Sequence, residues 1–426
     1  MNTSRKPGLL RDRNFSLLLC GQVVSAVGDQ AQGMALPLVV LALTGSAARA
    51  GLVLGLSTLS FLVFGLVAGA LADRFDRRAL MVWCDAGRAL LTAGVAVALW
   101  QDALGMPQLY ATAVLSGVLT TLFQAASTAA LPAVVGPQRL AAALGWSQSA
   151  SGAVGVLGAP LAGALYAVGR IVPFAANALS FAGSALSLRL MRADFRPATT
   201  ASGRGVAQLT REIREGLRWL WGRPVIRFLT LVNAADKIRY GAGYLLIVTL
   251  AREAGASPLW IGVIFSGAAA GTMAGALVSQ YAVRRFPLGR IAVVMLWSEA
   301  LMFPLYALAP GPLALAAVAA AESVAAPVYM VAMTAHQLSA TPDALRGRAS
   351  AAVSTLTTGA LSAGTLAGGF LISVLGTHPL VWASTAWLLA LALLTTAHPA
   401  IRGARAPGGA EPTGVGSGLP DAATAP

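Results

Sequence analysis

The sequence predicts an all-α membrane protein, with twelve transmembrane helices in two pseudo-symmetric six-helix halves. Three observations carry this. The 426-residue chain is 57% hydrophobic and only 11% charged, against roughly 25% charged for a soluble domain, and its mean hydropathy is +0.71. Its apolar residues fall in runs of about 20 or more, long enough to cross a bilayer. Its basic residues collect between alternate runs, as in cytoplasmic loops.

Residues 1–14 form a basic cytoplasmic arm, and residues 15–190 carry the first six spans. Span one covers Phe15 to Leu43, span two Gly51 to Ala72, and span three Ala79 to Trp100. Spans four, five and six cover Gln108 to Val134, Leu140 to Val168 and Ile171 to Leu190. The apolar run from Phe15 leads straight into a bundle, so it reads as a span and not as a cleaved signal. Cys20 and Cys84 both fall in or beside apolar runs and imply no disulfide framework.

Residues 191–224 are a polar, basic linker. Within it Val206, Leu209, Ile213, Leu217 and Leu220 recur at three- and four-residue steps, with Arg211, Glu212, Arg214, Glu215 and Arg218 between them. That is an amphipathic helix, expected on the inner leaflet or, alternatively, as a soluble connector. Residues 225–399 carry six more spans: Val225 to Ala251, Pro258 to Val283, Leu288 to Leu308, Leu313 to Leu338, Ala349 to Leu375 and Pro379 to Ala397. Residues 400–426, rich in Gly, Pro and Ala, read as a disordered tail.

Six spans, a linker and six spans suggest duplication. Gly65 and Gly69 ahead of Asp73 are echoed by Gly271 and Gly275 ahead of Ser279, and Arg77-Arg78 by Arg284-Arg285. On this map only Arg49, Arg170 and Arg252 occupy outward loops, which places both termini in the cytoplasm. The net charge of +14 therefore sets topology and meets lipid headgroups. No basic domain with interleaved aromatics points to nucleic acid.

The charge knot Gly69-Ala-Leu-Ala-Asp73-Arg74-Phe75-Asp76-Arg77-Arg78 separates spans two and three. Gly69, four residues after Gly65, is expected to admit a neighbouring helix. The knot resembles the loop between helices 2 and 3 of the major facilitator superfamily, Gly-x-Leu-small-Asp-Arg-x-Gly-Arg-basic, with Asp76 where that pattern has Gly. Asp tolerates left-handed backbone better than most residues. Gly155, Gly158, Pro160 and Gly163 in span five resemble the Gly-Pro-rich helix 5 of the family's antiporters; ordinary helix packing is the alternative reading. Asp343, Arg346, Gly347 and Arg348 resemble the loop between helices 10 and 11 in the branch of enterobactin-exporter-like and macrolide-efflux-like proteins. The resemblance implies that Asp73 and the loop arginines latch a cytoplasmic gate without touching substrate.

An ionisable group at membrane depth is costly and by default functional. Asp29 lies mid-span one with Gln22 about two turns earlier; Asp236 lies in span seven with Asn233 one turn before it. Glu299 is in span nine and Glu322 in span ten. Burial favours the protonated carboxyl, which suits a proton carrier. Asp236 has Lys237 and Arg239 as possible partners, whereas span one offers Asp29 no nearby base. Many proton-coupled drug exporters of the family carry an Arg in helix 4; here Gln124 is the main large polar group of span four.

Enzyme chemistry finds no support. His336, His378 and His398 are scattered, with no metal-ligand spacing, no phosphate loop and no nucleophile elbow. No cofactor is expected. The resemblance implies alternating-access export of a small organic molecule (a drug, siderophore or natural product), driven by protons, from a monomer in a bacterial inner membrane. Metabolite uptake, facilitated diffusion and a non-transporting receptor are the alternatives.

Overall fold

In the computed structural model, residues 9–191, 206–342 and 345–399 are described, and all of their regular structure is helical. The first half comprises α1 (Arg13–Thr44), α2 (Ala47–Arg74), α3 (Arg77–Trp100), α4 (Met106–Val135), α5 (Leu140–Val168) and α6 (Val172–Arg189). After α7 (Val206–Trp221) come α8 (Pro224–Glu253) and α9 (Pro258–Arg285). Then follow α10 (Leu288–Met302) with α11 (Leu305–Leu308), α12 (Pro312–Glu322) with α13 (Ala325–Ala340), α14 (Arg346–Leu375) and α15 (Thr377–Ala397). Counting the two broken pairs once each, ten spans are long and apolar enough to cross a membrane. The shorter α6 and the charge-bearing α8 bring the number to twelve.

Side-chain caps fix the short turns. Asp12 accepts from the amides of Asn14 and Phe15 at the start of α1, and Ser46 from that of Arg49 at the start of α2. Asp76 has φ −57° and accepts from the amides of Arg78 and Ala79. Its job is therefore N-capping α3, and the expected left-handed turn is absent. Two expected continuous spans are interrupted. Span nine breaks at Phe303-Pro304 and span ten at Ser323-Val324; Pro304 explains the first break, since it supplies no amide to continue the ladder.

The two halves touch mainly through α2 with α14 and α5 with α9, and glycine permits the approach. A Cβ on Gly51 would lie 2.7 Å from the Cα of Gly369, and one on Gly163 would lie 2.5 Å from the carbonyl oxygen of Pro258. These contacts lie on the side away from α7. There, one hydrophobic core takes residues from both halves, including Leu38, Val53, Leu246 and Ile261. On the side of α7 (the linker side) the halves keep separate cores. Phe15, Met81 and Leu131 belong to one, and Leu220, Leu288 and Met333 to the other. The bundle is thus sealed on the far side and parted on the linker side.

Helix boundaries also define the internal repeat. A step of 211 residues carries α2 onto α9 end to end and the start of α3 onto the start of α10. In this register Arg74-Phe75 matches Arg285-Phe286. The glycine echo read from sequence uses a step of 206 and so joins different depths. The packing differs accordingly: Gly271 and Gly275 press against the backbone of Ala320 and Val324, whereas Gly65 and Gly69 have nothing within 4 Å of a built Cβ. Gly69 therefore does not provide the close helix approach expected of it.

The linker helix α7 docks on the start of α14. Gly216 lies against the Arg348 carbonyl, Glu215 and Arg348 form a 2.6 Å ion pair, and Leu220 is buried. Protein contact, then, occupies part of a face that the sequence assigned to lipid or solvent.

Candidate functional site

In the first half, Asp85 and Arg88 share a face of α3 because residues three apart are helical neighbours. Both are almost fully buried. The Arg88 guanidinium donates to Asp85 and reaches Asp29 of α1 at 3.8 Å. The rings of Phe123 and Phe181 lie 4.8 and 4.3 Å from it, within cation–π range. Asp29 keeps 47% of its side chain exposed. Asn177 of α6 donates to Gln32 at 2.7 Å and reaches Asp29 at 3.5 Å; Thr92 also donates to Gln32. Gln22 donates to Ser127 of α4 at 2.5 Å. The base missing near Asp29 in span one is thus supplied by α3.

Asp29 also marks where the halves part. Tyr244 of α8 donates to the Gly33 carbonyl of α1 at 3.2 Å. One turn nearer the linker side, Asp29 and Gln30 are exposed.

In the second half, three separately predicted carboxylates converge on one cation. Arg239 donates to Asp236 at 3.0 Å, to Glu299 at 3.1 Å and to Glu322 at 3.0 Å. Tyr306 donates to Glu322 at 2.8 Å, and the Phe303 ring lies 5.0 Å from the guanidinium. No charged side chain here is more than 12% exposed. The breaks in spans nine and ten fall at this cluster, next to Phe303 and Glu322. Asp236 pairs with Arg239; Lys237 instead lies over the ring of Tyr240 at 4.7 Å. Asn233 sits beside Asp236 in a small pocket.

The clusters are related by the repeat with their polarity exchanged. Arg88 and Glu299 occupy matching places, 211 residues apart. The cation stands on the third helix of one half and on the first helix, α8, of the other. Fully ionised, the first cluster would carry one surplus negative charge and the second two. The second cluster's surplus is buried and therefore expensive, whereas the first cluster's lies at half-exposed Asp29.

The remaining predicted residues lie outside both ion clusters. Gln124 is exposed and, with Gly69, lines a cleft of about 460 Å³ between α2 and α4, away from Arg88. Arg74 is exposed. Arg77 donates to the Ala129 carbonyl at 2.9 Å and Arg78 to the Arg189 carbonyl, both within the first half. The side chain of Asp73, Gly347 beyond its place in α14, and Asp343 fall outside the described residues. Arg346 opens α14, and Arg348 holds Glu215. Gly155, Gly158, Pro160 and Gly163 lie along the joint with the second half or against α1. Gly155 meets Ala269, Gly158 meets Gln30, and Pro160 lies against Gly262.

Sequence reasoning singled out neither Arg88 with Asp85, nor Tyr306, nor Arg239 as a common partner. A usable signal existed: Asp-x-x-Arg occurs inside a span in each half, at Asp85-Arg88 and Asp236-Arg239. Among the described residues, no group of three or more His, Cys, Asp or Glu is placed to hold a metal ion.

A twelve-span helical bundle in two joined halves has the architecture of secondary transporters built from parallel repeats. The family model of the Major Facilitator Superfamily matches residues 18–236, and the chain belongs to that superfamily. It is 27% identical over 414 residues to the multidrug efflux pump Tap of Mycolicibacterium fortuitum, covering 94% of this chain and 98% of the relative. It is 28% identical over 246 residues to Tap of Mycobacterium tuberculosis (strain ATCC 25618 / H37Rv), spanning about half of that relative (55%) and 54% of this chain. Among solved structures it resembles the nucleoside transporter NupG (TM-score 0.71, 12% identity, 91% of this chain and 100% of that one). It also resembles a bacterial homologue of the iron transporter ferroportin in the inward-facing state (TM-score 0.71, 19% identity, 92% and 99%).

Proposed function

We propose that the protein exports small organic molecules, of the drug-like class, by proton-coupled alternating access from the cytoplasm of a bacterium. The observation that carries this is Asp29. It is a half-exposed carboxylate where the halves part, and its nearest cation, Arg88, is held more closely by Asp85. Such a carboxylate can exchange a proton or meet a cationic guest. The segregation of arginines supports cytoplasmic termini, so the parted linker side is the cytoplasmic one. Relatives named as multidrug efflux pumps support export. Each elementary charge crossing the membrane supplies about 2.3 kcal/mol per 100 mV.

The test is proton flux in proteoliposomes with a trapped pH probe, challenged with cationic dyes, macrolides and siderophores. Substrate-dependent flux that Asp29→Asn abolishes supports the reading. Equal flux in both proteins removes Asp29 from coupling. Substrate movement without proton movement removes the coupling itself.

A further inference from the structure

Between α9, α10 and the α12–α13 pair lies a groove of about 470 Å³ that no part of the proposed transport path uses. Its walls are apolar, including Ile291, Val294, Met295 and Val328, with Ser298 as a polar exception deep within. Val294 is 59% exposed, so the groove opens on the outer face of the bundle, where a membrane's acyl chains would lie. Its linker-side mouth is cationic. Phe286 and Arg290 line it, the Arg290 guanidinium lies 5.2 Å from the Phe286 ring, and Arg284 and Arg285 close the preceding helix. All three arginines are exposed, and among the described residues none of them has an ion-pair partner. The 15-residue α10 starts at the same mouth without a side-chain cap, which adds amide dipoles favourable to an anion. Neighbouring Asp or Glu is absent from the sequence Val283 to Ser298.

We propose that this groove binds one anionic phospholipid, its acyl chain against Val294 and Met295 and its phosphate among Arg284, Arg285 and Arg290. Charge complementarity selects the headgroup, and the concave apolar wall selects a chain over a free anion. Met295 is also a wall of the small pocket beside Asp236, and the groove abuts Val324 at the break in span ten. The lipid therefore braces the outer side of the Arg239 cluster.

The experiment uses the purified full-length protein, with native mass spectrometry and thermal unfolding in the presence of phosphatidylglycerol, phosphatidylcholine or inorganic phosphate. Phosphatidylglycerol is expected to be retained and to raise the unfolding temperature more than phosphatidylcholine does. The triple variant Arg284→Gln, Arg285→Gln, Arg290→Gln should bind it about 10- to 100-fold more weakly. Val294→Trp, which fills the groove and leaves every arginine in place, should lose one retained lipid. Equal retention of the two lipids overturns the proposal. So does protection by inorganic phosphate alone, or unchanged retention in Val294→Trp.

Discussion

The hydroxyl of Tyr244 donates to the carbonyl of Gly33 at 3.2 Å, and the two residues stand 211 positions apart, the step that relates the first helices of each half. Matching places in two halves can touch only near the axis that relates them. This bond therefore marks the pseudo-twofold axis at the floor of the far-side seal. Tyr244→Phe removes a bond worth about 0.5–1.5 kcal/mol net. The expected result is a shift of about 2- to 10-fold away from the sealed state, read from distances between spin labels on the far side.

The seal itself depends on bare backbone. Gly369→Val would press a side chain on the Ala47 carbonyl, 2.5 Å from a built Cβ, and on Gly51. Overpacking of this kind costs about 1–3 kcal/mol. Far-side cysteine labelling should become faster, and transport should fall. Gly65→Ala, with nothing within 4 Å, should leave both unchanged.

Arg239 is the common counter-ion of three carboxylates. Removing one partner of a buried pair costs about 3–5 kcal/mol, so Arg239→Gln should strongly lower stability in denaturant titrations. Adding Asp236→Asn or Glu299→Gln should recover part of the loss, because each removes an uncompensated charge. No recovery in either double variant would mean that packing against Phe303, not charge, is the role of Arg239.

The linker helix offers a contrast of magnitudes. The Glu215–Arg348 pair is partly exposed and is worth about 0–1 kcal/mol, so Glu215→Ala should hardly loosen α7. Gly216→Leu places atoms where a Cβ alone would be 2.2 Å from the Arg348 carbonyl. Limited proteolysis of the linker should accelerate several-fold in that variant only.

The spans were legible because bilayer length and arginine placement are properties of contiguous sequence. The breaks were not, since Pro304 had to be weighed against a run that stays apolar through it. Asp236, Glu299 and Glu322 were each visible as costly. Their common partner Arg239 lies 60 residues from Glu299 and 83 from Glu322, distances that no local pattern joins. Asp29 has no base within its own helix, and its cation, Arg88, stands 59 residues away on α3. Gln124 stands out in its span by size and polarity, but helix rotation turns it toward the α2–α4 cleft. The role of Asp76 was hidden by a motif that asks for glycine there, although Asp ahead of a helix is itself a capping signal.

The exchanged polarity of Arg88 and Glu299 has a consequence for how the chain assembles. A first helix set beside the other half's third would in one case bring Asp29 to Glu299, two carboxylates with no guanidinium between them. In the arrangement observed, each such helix pair shares one arginine, Arg88 between α1 and α3 and Arg239 between α8 and α10. A bilayer tolerates the second arrangement far better than the first, so the placement of the two arginines disfavours exchange of helices between the halves.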